Sequence, residues 1–243
     1  MPNQLLSDRY SPITSEIGFL ECNAETAKDA YLNWMQPIQA ERNIIVEGRN
    51  VGGDFVSKIC SLLPLTSIER RRSLFVPTKS DWTAYFDNGW QGTDAFTAVS
   101  YLSQEIGCRG IRAVSILNTI EQTRTGLRGR YGATIFELYA SSTDGCSFLN
   151  TQRSVFAAND GGRWKFGAAG GPLEFEDVKQ YESRRIQDRF NPEMLDRYLR
   201  SFGIQLFLEE FYSVNKPAQL VVKEGPCAAG MKSYSLAEAQ SEN

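Results

Sequence analysis

The sequence predicts an α+β fold, an antiparallel sheet with packed helices and a helical C-terminal third. Three observations lead there. Apolar residues recur at spacings of three and four in two separate stretches, around Tyr31 and around Val99, as on one face of a helix. Short segments of extended character, several bounded by glycine-containing turns, lie between and after them. Asn191-Pro192 then opens a last stripe of apolar residues at helical spacing.

Residues 1–16 are polar and mixed, a lead-in to the apolar run 17–22. Asn23 is a good N-cap for a helix with Ala27, Ala30, Tyr31, Trp34 and Ile38 on its apolar side, which Pro37 should end or kink. Residues 44–47 read as a strand closed by the glycines of 48–53. Phe55, Val56, Ile59, Leu62 and Leu63 have helical spacing up to Pro64.

Residues 73–76 and 81–87 read as adjacent strands, the second with Trp82, Ala84 and Phe86 on one face and Thr83 and Tyr85 on the other. Thr93 can cap a helix lined by Phe96, Val99, Leu102 and Ile106 and stopped at Gly107. Residues 111–117 return as a strand, and 118–130 read as an exposed loop. Residues 131–139, 148–157 and 163–166 form an antiparallel meander, with Asp144-Gly145 and Asp160-Gly161 as turn residues.

Residues 178–189 read as a charged amphipathic helix. The helix after Asn191-Pro192 carries Met194, Leu195, Tyr198, Leu199 and Phe202 and ends at Gly203. Residues 204–214 could form a last strand. A single domain over residues 17–214 is expected, with packed subdomains 17–68 and 69–214 as the variant and with 1–16 and 224–243 as flexible termini.

Composition bounds the chemistry. The chain has 243 residues, 42% hydrophobic and 12% aromatic, enough for a packed core. It contains no histidine, which removes Ser-His-Asp and Cys-His nucleophile systems and histidine-bearing metal sites. A net charge of −3 and a pI near 5.3 disfavour general nucleic-acid binding, which needs concentrated positive charge. Cys22, Cys60, Cys108, Cys146 and Cys227 lie far apart with no close pair, as suits buried free thiols in a reducing compartment. The amino-terminal residues lack the pattern of a secretory signal, and no stretch is apolar enough to span a membrane, so the cytoplasm is the expected location.

Several segments have a chemical reading beside a plainer one. The glycines of residues 48–54 sit where a phosphate-binding loop would, but lack the P-loop and dinucleotide patterns, and read as a strand-to-helix turn. Glu174, Glu176 and Asp177 could divide acid and base roles, or could complement the start of a helix. Asp81 and Asp87 could be catalytic or metal carboxylates, or strand-end aspartates. Arg70, Arg71 and Arg72, and the arginines at 184, 185, 189, 197 and 200, could meet an acidic partner. The late arginines alternate with Glu182, Asp188, Glu193 and Asp196, as on an ion-paired surface. Trp90, in a glycine-flanked polar turn, is either a lid over the core or an exposed anchor.

The segments Trp82-Thr-Ala-Tyr-Phe-Asp-Asn88, Tyr131-Gly-Ala-Thr-Ile-Phe-Glu-Leu138, Gly161-Gly-Arg-Trp-Lys-Phe166, Pro172-Leu-Glu-Phe-Glu176 and Tyr181-Glu-Ser-Arg-Arg-Ile-Gln-Asp-Arg-Phe190 together resemble a family of uncharacterised bacterial cytoplasmic proteins. The resemblance covers roughly residues 70–205, and such proteins look like immunity partners of secreted polymorphic toxins. It implies a shared fold more than a shared activity, because the matching residues are mainly core aromatics and turn glycines.

The expectation is therefore a non-catalytic cytoplasmic binding protein, most plausibly an immunity protein that occludes a toxin's active site. It has no catalytic residue, no cofactor, no metal and no membrane partner. Its acidic balance suits a basic partner, since complementary charge speeds encounter. Contact is expected through Trp90, through Arg124, Arg128 and Arg130, and through Glu174, Glu176 and Asp177. Two alternatives remain: a hydrolase-type enzyme using Glu174, Glu176 and Asp81 as acid and base, and a regulatory or structural adaptor.

Overall fold

A computed structural model of the chain describes residues 4–124, 126–140 and 150–242. The turn expected at Asp144-Gly145, the start of the strand at Phe148, and Cys146 lie outside them. The first half begins with β1 (Glu16–Leu20), followed by α1 (Ala24–Ala40) and β2 (Ile45–Val51). A short helix α2 (Phe55–Cys60) and the two-residue β3 (Leu65–Thr66) lead to the hairpin β4 (Arg72–Pro77) and β5 (Thr83–Asp87). Next come α3 (Ala95–Ile106), β6 (Gly110–Ile116), and a small hairpin of β7 (Glu121–Thr123) with β8 (Gly126–Arg128).

The second half holds the meander β9 (Ala133–Tyr139), β10 (Thr151–Asp160) and β11 (Arg163–Ala169). It closes with α4 (Pro192–Arg200), α5 (Glu209–Tyr212), β12 (Ala218–Glu224), β13 (Ser233–Tyr234) and α6 (Leu236–Glu242).

Nine strands form one antiparallel sheet in the order β11-β10-β9-β6-β1-β5-β4-β12-β2, so the fold is α+β. Both sheet faces are covered, which is why every residue of β5 is buried instead of every second one. On one face Leu20, Phe75, Tyr85, Tyr139 and Val221 pack under Tyr31 of α1 and Val99 and Leu102 of α3. On the other, Phe19, Leu74, Phe86, Ile111, Phe136 and Val155 pack with residues of α2, α4 and α5. Helix α3 sits close to the sheet because Gly18 and Gly110 lie beneath it. A Cβ on Gly110 would stand 2.8 Å from Val99 Cγ1 and 2.9 Å from Ser103 Cβ.

The capping signals act locally as expected. Asn23 Oδ1 accepts from the Thr26 amide at 2.9 Å, Asn191 Oδ1 from the Met194 amide at 3.0 Å, and Gly107 ends α3 in the left-handed region. Pro37 neither ends nor interrupts α1, which runs on to Ala40.

Five expectations change. Thr93 does not cap α3: its hydroxyl donates to Ile13 O, and Glu16 Oε1 accepts from the Ala95 amide at 2.7 Å. Residues 118–130 contain the β7–β8 hairpin. Residues 178–189 form two short 3-10 turns, Val178–Glu182 and Ile186–Asp188, because only Tyr181 in that stretch is buried and no continuous apolar stripe supports a helix.

The last strand of the sheet is β12, inserted between β4 and β2, while residues 204–214 hold α5. Finally, Leu5 and Leu6 in the lead-in and Ala239 near the C-terminal end are buried in the core, so neither end is wholly peripheral.

Candidate functional site

An open cleft of about 520 Å³ lies where the central strands β1, β5, β4 and β12 end. Its walls are Glu21 and Cys22 just past β1, Asn23 to Glu25 at the start of α1, the turn from Pro77 to Thr83, and Lys216 to Gln219 before and within β12. Hydrogen bonds within the turn and to a distant carbonyl hold it in place. Thr78 Oγ1 donates to Trp82 O, Ser80 Oγ lies 3.0 Å from Thr78 Oγ1, and Trp82 Nε1 donates to Phe202 O at 3.0 Å. At the end of the turn Thr83 Oγ1 donates to Cys22 O at 2.7 Å, tying β5 to the end of β1.

The cleft is acidic. Glu21, Glu25 and Asp81 line it against one cation, Lys216. Glu21 accepts both a 2.6 Å and a 2.5 Å hydrogen bond from Arg109, which hold its carboxyl below the ordinary carboxylate value. Glu25 and Asp81 are exposed, and among the described residues no ion pair engages either. Such a rim can take up a cationic, hydrogen-bonding chain segment.

The buried charges are engaged inside the protein. Arg112 donates to Glu16 at 2.8 and 2.9 Å and to Glu137 at 3.1 Å, and Tyr139 donates to Glu137 at 2.8 Å. Fully buried Asp87 accepts from the Gly89 and Asp94 amides and pairs with Arg70 at 3.3 Å. Arg153 donates to both oxygens of Glu176, which also accepts from Tyr181 and from the Leu173 amide.

The residues singled out from sequence fall into separate settings. Trp90 is half-buried against the core and stacks on Tyr234 of β13, with ring centroids 5.1 Å apart. Arg124 and Arg128 are exposed at the β7–β8 hairpin. Arg130 is half-buried and donates to Ser11 Oγ at 2.6 Å and Ser15 Oγ at 2.9 Å. The same lead-in segment meets the turn after Trp90, since Thr93 donates to Ile13 O. The Trp90 and Arg130 regions thus converge on residues 11–15.

The acidic strip is placed elsewhere. Glu174 and Asp177 are exposed, Asp177 lies 3.8 Å from Arg197, and its amide donates to Tyr198. Glu176 points inward to Arg153. Asp81 borders the cleft, so Glu174, Glu176 and Asp81 are not assembled as an acid–base set.

Arg70, Arg71 and Arg72 are also occupied. Arg71 donates to the carbonyls of Gly225 and Pro226, and Arg72 to those of Ser61 and Leu63. Among the late arginines, Arg185 pairs with Asp188 and Arg200 with Asp196. Cys60 and Cys227 are exposed, not buried, whereas Cys22 and Cys108 are half-buried. Sequence reasoning passed over Glu21, Glu25 and Lys216. The only local signal was the acidic pair flanking the Asn23 cap.

No helix among the described residues is long and apolar enough to cross a membrane, and no group of three or more acidic or cysteine side chains among them could hold a metal ion. Compared with protein-family models, with curated proteins and with solved structures, the chain matches none.

Proposed function

We propose that this chain is a non-catalytic protein-binding protein whose acidic cleft receives a basic segment of a partner, acting in the cytoplasm as an immunity-type inhibitor of a toxin. One observation carries the reading: charges inside the fold are engaged by partners within it, while Glu25 and Asp81 stand at the cleft rim outside any ion pair of the described residues. Carboxylates placed in this way attract a cationic surface and steer its approach. The chain's overall acidity points the same way.

The test is growth rescue. A polymorphic-toxin domain encoded beside this gene is expressed alone and together with the chain. Rescue by the unaltered protein, weakened at least about tenfold by E25K/D81K as like charges meet, is the expected result. Absence of any such toxin gene, or failure of the unaltered chain to rescue, overturns the inhibitor reading; undiminished rescue by E25K/D81K removes the cleft from it.

A further inference from the structure

Cys22 and Cys108 are 86 positions apart in sequence, yet the pairing of β1 with β6 brings them to the same end of one ladder. Strands β1 and β6 pair antiparallel with Leu20 opposite Gly110, and the ladder reaches one place further, where the Glu21 amide donates to Arg109 O at 3.0 Å. Cys22 and Cys108 each lie one residue beyond that bond. Both chains turn just past that bond, the Cys22 amide donating to Leu20 O and the Cys108 amide to Ser103 O, so the two cysteines flank the end of the ladder.

The two thiols lie close enough to shift each other's ionisation. The effect is asymmetric: Cys22 lowers the Cys108 thiol from its ordinary value, while Cys108, with burial, raises Cys22. Cys108 is therefore the nucleophile and Cys22 the proton-bearing partner. Cys22 also lines the cleft, which gives a small solute a route to the pair.

We propose that Cys22 and Cys108 form a two-electron redox site that takes a small hydroperoxide and yields an intramolecular disulfide. With hydrogen peroxide, the Cys108 sulfur attacks one oxygen, the O–O bond breaks, and the departing hydroxide takes a proton and leaves as water. Cys108 is then a sulfenic acid. The Cys22 sulfur attacks the Cys108 sulfur, the S–O bond breaks, and the hydroxide leaves with the Cys22 proton as a second water. The thiol pair loses two electrons and the peroxide gains them. A reducing thiol restores the pair by exchange.

This inference does not depend on the inhibitor reading. The test treats the folded full-length protein with hydrogen peroxide, blocks remaining thiols, and maps peptides without reduction, with exposed Cys60 and Cys227 as internal references. The expected result is a Cys22–Cys108 cross-link that forms about tenfold faster than oxidation of either reference and disappears on reduction. In C22S, with folding confirmed by circular dichroism, Cys108 sulfenic acid should accumulate and be trapped by dimedone. In C108S, Cys22 should react no faster than Cys60. A linkage between other cysteines, or equal rates at all sites, overturns the proposal.

Discussion

Arg153 on β10 grips Glu176 with two parallel hydrogen bonds, Nε to Oε1 at 2.8 Å and Nη2 to Oε2 at 2.5 Å, with both side chains almost wholly withdrawn from solvent. The pair fastens the segment before the 3-10 turns to the sheet. Remaining donors and acceptors are also used: Arg153 Nη1 donates to the Ala169 and Gly170 carbonyls, and Tyr181 bridges Glu176 to Tyr198. A buried pair so well satisfied is costly to halve.

Replacing Glu176 by alanine should therefore destabilise the protein by about 3–5 kcal/mol at neutral pH, read by urea unfolding. Burial would raise the Glu176 carboxyl, but the hydrogen bonds from Arg153, Tyr181 and Leu173 outweigh it and hold the group below its ordinary value. A carboxyl lowered on folding contributes stability above its unfolded pKa and loses it as pH falls through the folded value. The cost of E176A should shrink in that acid range; a cost that stays constant as the pH falls contradicts the assignment.

Asp87 should show the opposite dependence. Burial lifts its pKa to about 6, against the pull of Arg70 and of the Gly89 and Asp94 amides. With the folded value above the unfolded one, its contribution is fully present below about pH 4 and is lost as pH rises through about 6. The stability difference between the unaltered protein and D87N should fall by on the order of 2–3 kcal/mol from pH 4 to 7. Urea unfolding across that range checks it, and a flat difference contradicts it.

Gly110 is required by the closeness of α3. A methyl group there meets Val99 and Ser103, neither of which is the free end of a flexible chain. G110A should cost about 1–3 kcal/mol, and V99A in the same molecule should recover part of that loss. Thermal unfolding of the two single variants and the double variant measures the coupling; strict additivity would place the strain elsewhere.

Trp90 should report on β13. Its stack on Tyr234 is worth about 0.5–1.5 kcal/mol beyond burial. Y234A should lower stability by about that much and increase quenching of tryptophan emission by acrylamide. Unchanged quenching would show that the ring is shielded from solvent without Tyr234.

Much of the fold is legible along the chain because its signals are short. The cap at Asn23, the cap and proline at 191–192, the stop at Gly107 and the alternation from Trp82 to Phe86 each act within a few residues, and each is realised. The segment 178–189 misled because its charges mimic a helix surface although almost nothing beneath is apolar. The candidate site was less legible. Asp81 stood out, but its cleft neighbours Glu25 and Lys216 come from far along the chain, and Arg130 looked available until Ser11 and Ser15 supplied its partners.

By itself the sequence determined the α+β class, most element positions and the exclusion of histidine chemistry, since period, caps and composition are properties of neighbouring residues or of the whole chain. Only the tertiary structure decided that β12 enters between β4 and β2, that Glu176 turns inward to Arg153, and that Cys22 and Cys108 come to the same end of the β1–β6 ladder. Those outcomes depend on which distant segments share a sheet register and a buried volume. Strand pairing is a choice among partners that local periodicity does not distinguish.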